Sequence, residues 1–147
     1  MKEADQEARR WFLQAEDDLK FVAWIAKEGV FFDKGCFVAQ QAGEKALKAC
    51  LYAAGKRFVL GHSLFEMVLE LRKKETSFRK IEEESKRLDR YYIPARYPNG
   101  LPGGSPFQTY MAKDLEAALR DVERVLSMSR AYLKKLRALP SEKIHEH

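Results

Sequence analysis

The sequence contains no hydrophobic run that approaches the roughly 18–20 residues needed to cross a bilayer. Its first residues, MKEADQEARRW, are too acidic and too polar for a secretory signal peptide. We therefore expect a soluble cytoplasmic protein that makes no membrane contact.

Cysteine is scarce, and the two cysteines, Cys36 and Cys50, fall within one predicted helix. At about 1.5 Å of rise per residue they lie about 21 Å apart. That separation excludes a disulfide between them and a shared metal ion. We interpret each as a small apolar core residue, with a reactive thiol as the alternative.

The familiar catalytic motifs are also missing. The chain has no phosphate-binding loop, no dinucleotide-binding glycine fingerprint, no HExxH zinc pair and no nucleophile elbow. A self-contained NTPase, dehydrogenase, metalloprotease or esterase is therefore not expected. His145 and His147 could bind a metal weakly, but an exposed chain end explains them as well, and we predict no metal site and no cofactor.

The composition is that of one folded domain. Of 147 residues, 46% are hydrophobic and 33% are charged, which does not match the composition of a disordered chain. We predict a helical domain over residues 1–139 and a flexible tail over 140–147. The net charge of +5 favours anionic partners, although a solvated basic surface gives the same value.

Apolar residues recur at steps of three and four along most of the chain, which predicts an all-α antiparallel up-and-down bundle of four to five helices. The first helix should run from Ala4 to Ala26 and end near Gly29. The second should be capped by Asp33 and run to about Ala54. Its small side chains allow close helix contacts, so we place it at the bundle centre or at a subunit contact.

The second half of the sequence predicts shorter elements and one long loop. Ser63 begins an S-x-x-E capping box that should start a third helix, and helical spacing within the charged segment 75–90 predicts a further surface helix. Prolines and glycines over 93–106 exclude regular structure there. A last long helix should extend from Phe107 to about Leu139.

Arg57 and His62 form the first candidate site, in the turn between the second and third helices. Their R-x4-H spacing combines a guanidinium that can bind phosphate with an imidazole that can move a proton. Lys45 and Lys48 add positive charge on one face of the preceding helix. The alternative is structural, because His62 beside Ser63 could simply help to start a helix.

The segment RYYIPARYP, residues 90–98, forms the second candidate site. Its prolines can hold Arg96 and Tyr97 in place, which offers charge and stacking surfaces to a nucleotide or a single strand. The tyrosines could equally pack onto helices, and both interpretations stay open. We predict one basic pocket that binds a nucleotide or an RNA phosphate, made of Lys45, Lys48, Arg57, His62, Arg96 and Tyr97.

Four segments, taken in order, resemble the HEPN domain, a family named for its occurrence in higher eukaryotes and prokaryotes. They are WFLQAEDDL at 11–19, FVAQQAGEKALKA at 37–49, GHSL at 61–64 and YIPARYP at 92–98. The resemblance covers roughly residues 8–126. Four motifs in the same order are far more specific than any one of them.

This resemblance implies an up-and-down helical bundle that often dimerises. Some members are encoded beside minimal nucleotidyltransferases, some bind nucleotides, and some are toxin-like ribonucleases with an R-x4-6-H motif at the start of a late helix, placed at the dimer interface. Here no histidine follows Arg96 at that spacing, and the pair Arg57 and His62 lies earlier in the chain. This departure favours binding over cleavage.

Three functions therefore remain open. The leading one is a homodimeric nucleotide- or RNA-binding module with a nucleotidyltransferase as a candidate partner protein, and Gly43 lies in the subunit contact if the small face of the second helix forms it. The second is a metal-independent endoribonuclease that uses Arg57 and His62, or Arg96. The third is a helical scaffold that makes only protein contacts.

Overall fold

The computed structural model describes residues 3–140, and over that range the chain is helical with no strand. The helices are α1 (Glu3–Glu28), α2 (Phe32–Ala53), α3 (Leu64–Leu71), α4 (Glu82–Asp89), α5 (Pro106–Thr109) and α6 (Ala112–Lys135). Short 3-10 segments lie at Thr76–Ile81 and Pro98–Gly100. The predicted all-α bundle is confirmed. Among these helices none is both long enough and apolar enough to cross a membrane.

Helix α2 lies at the centre of the bundle, where it packs against α1, α6, α3 and α4. Its small residues are fully buried: Ala39, Ala42, Ala46 and Ala49. A Cβ atom added at Gly43 would lie 2.5 Å from Cδ2 of Leu64 in the same chain. The small face therefore serves packing within one chain, so that of its two predicted positions the bundle centre is confirmed and the subunit contact through Gly43 is wrong.

The helix ends agree with the sequence in part. Helix α1 stops before Gly29, which takes the predicted left-handed conformation at φ +70°. The N-cap of α2 is Phe31, also left-handed at φ 51°, whereas Asp33 is a buried residue of the first turn, so the predicted cap is wrong. The predicted helix over 75–90 is a 3-10 segment followed by α4.

The last helix starts later than its apolar spacing predicts. Tyr110 and Met111 are extended, which separates the short α5 from α6, and the Met111 N–H donates to the Asp114 carboxylate at 2.8 Å. Phe107 and Met111 are consequently exposed rather than part of the core. Asp114 satisfies a donor that a continuous helix would have used, so a local cap prevails over hydrophobic periodicity.

The end of α6 turns the chain back onto the bundle. Arg137 is left-handed at φ 62°, the Ala138 N–H donates to the Leu133 carbonyl at 2.8 Å, and the Arg137 N–H donates to the Lys134 carbonyl at 3.0 Å. These two bonds form a Schellman motif with arginine where glycine is usual. The predicted tail over 140–147 lies, apart from Pro140, outside the described residues, as do His145 and His147.

Both cysteines are free and buried, as predicted. Burial raises the pKa of the Cys36 thiol to about 12, with Asp114 and Asp33 adding to the effect. Burial raises the pKa of the Cys50 thiol to about 12 as well. The thiols are therefore protonated at neutral pH, which favours the core interpretation over the reactive one.

Candidate functional site

The two segments singled out in the sequence meet in the structure. The turn between α2 and α3 carries His62, and the segment after α4 carries Tyr92. Their rings stack with centroids 4.6 Å apart and planes inclined by 20°. This contact places the two irregular segments together over one face of α2.

Glu44 of α2 orients the imidazole of His62. The Nδ1 atom of His62 lies 3.2 and 3.3 Å from the two carboxylate oxygens of Glu44. An anionic acceptor requires a proton on Nδ1, so Nε2 holds the free lone pair whenever the ring is neutral. The His62 side chain is 55% exposed, whereas that of Glu44 is only 7% exposed. A buried carboxylate thus fixes an accessible imidazole.

Other side chains of α2 donate hydrogen bonds to the carboxylate of Glu44. Lys48 Nζ donates at 3.0 Å and Gln40 Nε2 at 3.3 Å, while Gln40 also donates to the His62 carbonyl at 2.9 Å. A buried charge is costly without such partners. The ammonium of Lys48 lies 5.4 Å from the Trp11 ring centroid, on the side of α1. The positive charge of Lys48 is therefore neutralised by Glu44.

Arg96 is held among three aromatic rings. Its guanidinium carbon lies 4.4 Å from the centroid of Phe37, 4.6 Å from that of Tyr92 and 5.0 Å from that of Tyr97. Its Nε–H donates to the Tyr92 carbonyl at 2.8 Å. Within residues 3–140 Arg96 forms no ion pair, so its terminal nitrogens keep their donors for a ligand.

Asp89 joins the two segments at the start of α3. Its carboxylate accepts from Ser63 Oγ at 2.7 Å, from the Leu64 N–H at 2.7 Å and from the Phe65 N–H at 3.1 Å. Ser63 in turn accepts from the Glu66 N–H at 3.2 Å, so the predicted N-cap is confirmed. The end of α4 thereby holds the turn that carries His62.

A cleft of about 280 Å³ opens at this junction; it is lined by His62, Ser63, Asp89 and Tyr92. Both carboxylates nearby, those of Glu44 and Asp89, already accept hydrogen bonds from protein donors. Arg96, which contacts the same Tyr92, has no acidic partner among the described residues. The site can therefore offer an anion one fixed cation, a neutral or protonated imidazole and aromatic faces.

The predicted pocket residues are linked only in part. Contacts connect Lys48 to His62 through Glu44, and His62 to Arg96 through Tyr92. By contrast, Lys45 faces α1, where it pairs with Asp18 at 2.5 Å. Arg57 is exposed on the turn and is joined to none of the others by a contact in the described chain.

Sequence reasoning did not assign roles to three residues at the centre of the site. Glu44, Tyr92 and Phe37 all lie within the segments that carry the family resemblance, but their contacts arise only when the segments fold together. One signal was present, because Gln40, Glu44 and Lys48 recur every four residues and so share one helix face.

Comparison with known proteins shows which family the chain resembles. A family model described as the HEPN domain matches residues 8–132. The candidate toxin MJ1304 of Methanocaldococcus jannaschii is 29% identical over 136 residues, which cover 86% of this chain and 88% of that protein.

Two crystal structures are similar throughout. TT1696 from Thermus thermophilus superposes with a TM-score of 0.80 at 33% identity and covers 86% of this chain and 98% of its own. ST0689, described as an archaeal HEPN homologue, superposes with a TM-score of 0.70 at 27% identity and covers 89% of this chain and 98% of its own.

Proposed function

Because the chain belongs to the HEPN domain family, we propose that it is a nucleotide- or RNA-binding module whose phosphate contact is made by Arg96. His62 supplies a second polar contact, and Tyr97 and Tyr92 supply stacking faces. Lys48 acts through Glu44, and Arg57 adds charge from the neighbouring turn. Lys45 contributes to the field of this face rather than to a direct contact, because Asp18 neutralises it.

The observation that carries this proposal is the environment of Arg96. Three rings and one backbone acceptor hold the guanidinium, yet no carboxylate in the described chain neutralises it. A restrained, unpaired guanidinium binds phosphate at a small cost in side-chain entropy. The adjacent tyrosine rings suit a base, since stacking tolerates any sequence.

Binding of a short fluorescein-labelled single-stranded RNA, measured by anisotropy at low salt, tests the proposal. Arg96→Ala should weaken binding ten- to a hundredfold, because one charge-assisted hydrogen bond is worth about 1.5–3 kcal/mol. Arg120→Ala, which removes an exposed arginine of α6, serves as the matched control and should have little effect.

Two further readouts separate specific contact from general attraction. Arg96→Ala should reduce the slope of log affinity against log salt by about one phosphate contact. Tyr97→Phe should retain most of the affinity, whereas Tyr97→Ala should lose about 1–3 kcal/mol of stacking. Equal binding by the wild type, Arg96→Ala and Tyr97→Ala would reject the site and favour the scaffold function.

A metal-independent endoribonuclease is the second candidate, and the pair of Glu44 and His62 favours it. A carboxylate that fixes the tautomer of an exposed imidazole is an arrangement suited to proton transfer. The relative named as a candidate toxin is compatible with it. We still expect RNA to remain largely intact in EDTA. Cleavage that disappears in both His62→Ala and Glu44→Gln would establish the enzyme instead.

The proposal also covers how this chain assembles with other chains. The family resemblance supports a homodimer and a nucleotidyltransferase partner, and the contact has to lie outside the buried face of α2. Phe58 and Leu60, on the turn beside His62, are 81% and 89% exposed and are available for such a contact. Light scattering at high micromolar concentration should show a dimer, and Leu60→Lys should shift it towards monomer. A monomeric wild type would reject this part alone.

A further inference from the structure

A second pocket lies between α1 and α6, and none of the residues that line it belongs to the site described above. Its volume is about 320 Å³. Phe12, Leu13, Leu139 and Pro140 provide apolar walls, and Arg9 and Arg130 are among its polar lining residues. The Schellman motif after α6 brings Leu139 and Pro140 to this position, because it reverses the chain at Arg137.

Arg9 is the unusual member of this pocket. Its Nε atom is buried and has no hydrogen-bond partner among the residues that the structure describes. An N–H of a charged group that is withdrawn from water without an acceptor destabilises a fold. The next residue, Arg10, shows the ordinary arrangement, since it is exposed and pairs with Glu7 at 3.2 Å. A change in the rotamer of Arg9 would present this unpaired donor to an acceptor in the pocket, which Arg9 lines.

Arg130 provides a second guanidinium in a fixed position. One of its terminal nitrogens donates to Glu16 at 2.9 Å, and its guanidinium carbon lies 5.4 Å from the centroid of Phe12. Among residues 3–140, Glu16 is the one carboxylate that lines the pocket, and it is engaged by Arg130. Negative charge inside the pocket is thus tied to Arg130, whereas Arg9 has no counter-charge within the described chain.

We propose that this pocket binds an organic phosphate monoester. Its phosphate would accept from the Nε–H of Arg9 and from Arg130, and its apolar or aromatic body would lie against Phe12 and Leu139. A phosphate monoester carries about −1.5 to −2 charges at neutral pH and three acceptor oxygens, which a pair of guanidinium groups matches better than a carboxylate does. This site is independent of the RNA contact at Arg96.

Phenyl phosphate is the probe, and the Nε–Hε signal of Arg9 in the ¹⁵N-labelled wild-type protein is the reporter. The signal is assigned by its absence from the spectrum of Arg9→Gln. Titration should move it to saturation, because a free N–H gains an acceptor. Arg9→Gln should weaken binding, followed at the remaining shifted signals, ten- to a hundredfold. The matched control Arg10→Gln should bind as the wild type does.

The remaining arms separate this site from its alternatives. Phenyl phosphate should bind more tightly than inorganic phosphate, and equal affinities would overturn the assignment of an organic ester. Arg96→Ala should leave phenyl phosphate binding intact, whereas its loss would assign the ligand to the other site. An Arg9 signal that does not move in the wild-type protein overturns the proposal without reliance on any variant.

Discussion

Replacing Asp89 with alanine removes the acceptor for three donors at the start of α3, and its cost can be worked out from the structure. Two of these donors are backbone N–H groups of the first helical turn, those of Leu64 and Phe65. Leu64 is fully buried, so water cannot replace the lost acceptor there. The third donor, Ser63 Oγ, still accepts a hydrogen bond from the Glu66 N–H in the first turn of α3.

The expected loss for Asp89→Ala is about 1–3 kcal/mol. Removal of an N-cap side chain costs about 0.5–2 kcal/mol, and the charge near a helix N-terminus adds about 0.3–1 kcal/mol. Ser63→Ala, which removes a neutral cap, should cost about 1 kcal/mol. Asp89→Asn should fall between the two, because the amide retains one acceptor oxygen.

Urea unfolding followed by circular dichroism measures these free energies, and Asp17→Ala on the exposed face of α1 is the control. That control should change the free energy of unfolding by less than about 0.5 kcal/mol. The reasoning is refuted if Asp89→Ala costs less than Ser63→Ala. Because Asp89 also holds the turn that carries His62, Asp89→Asn should weaken RNA binding even where the protein remains folded.

Three further predictions concern packing, backbone and thiols. Gly43→Leu should lower the free energy of unfolding in urea by more than about 2 kcal/mol, because the leucine side chain would overlap Leu64 inside the bundle. A variant that stays equally stable but associates differently would instead support a subunit contact through Gly43. Arg137→Gly should raise the free energy of unfolding by about 0.5–1 kcal/mol, since glycine adopts a positive φ without strain. A lower free energy of unfolding would show that the arginine side chain stabilises the fold by more than the backbone strain costs. Cys36 and Cys50 should resist dithionitrobenzoate at pH 8, because a pKa of about 12 leaves about one thiol in ten thousand ionised. Both thiols should react once the protein is unfolded in urea. Rapid reaction of the native protein would contradict their burial.

Much of the fold could be predicted because its signals are local. The period of α1 and the glycine after it lie within one stretch of sequence, and the same is true of the Ser63 cap. The start of α6 could not be predicted in this way. Phe107 and Met111 match the apolar spacing of the helix that follows, but Asp114 caps Met111 and the chain is extended there.

Within the site, only those residues could be predicted whose own side chains carry the chemistry. His62, Arg96 and Tyr97 stand out in a turn and a proline-rich segment, whatever they touch. The partners of a residue depend on distant parts of the chain: Asp18, which neutralises Lys45, is 27 positions away from it. A basic cluster can therefore be read from the sequence, whereas the charge left unpaired after folding cannot.

The central position of α2 also shapes how this chain can change over generations. That helix packs against α1, α3, α4 and α6, so an enlarged side chain there disturbs several neighbours at once. Drift in sequence should then accumulate on the outward faces of α1 and α6, while α2 keeps residues of nearly constant volume. A library of single substitutions, sorted by protein abundance, should show a nearly continuous intolerant band from Cys36 to Leu51, interrupted only at its half-buried positions.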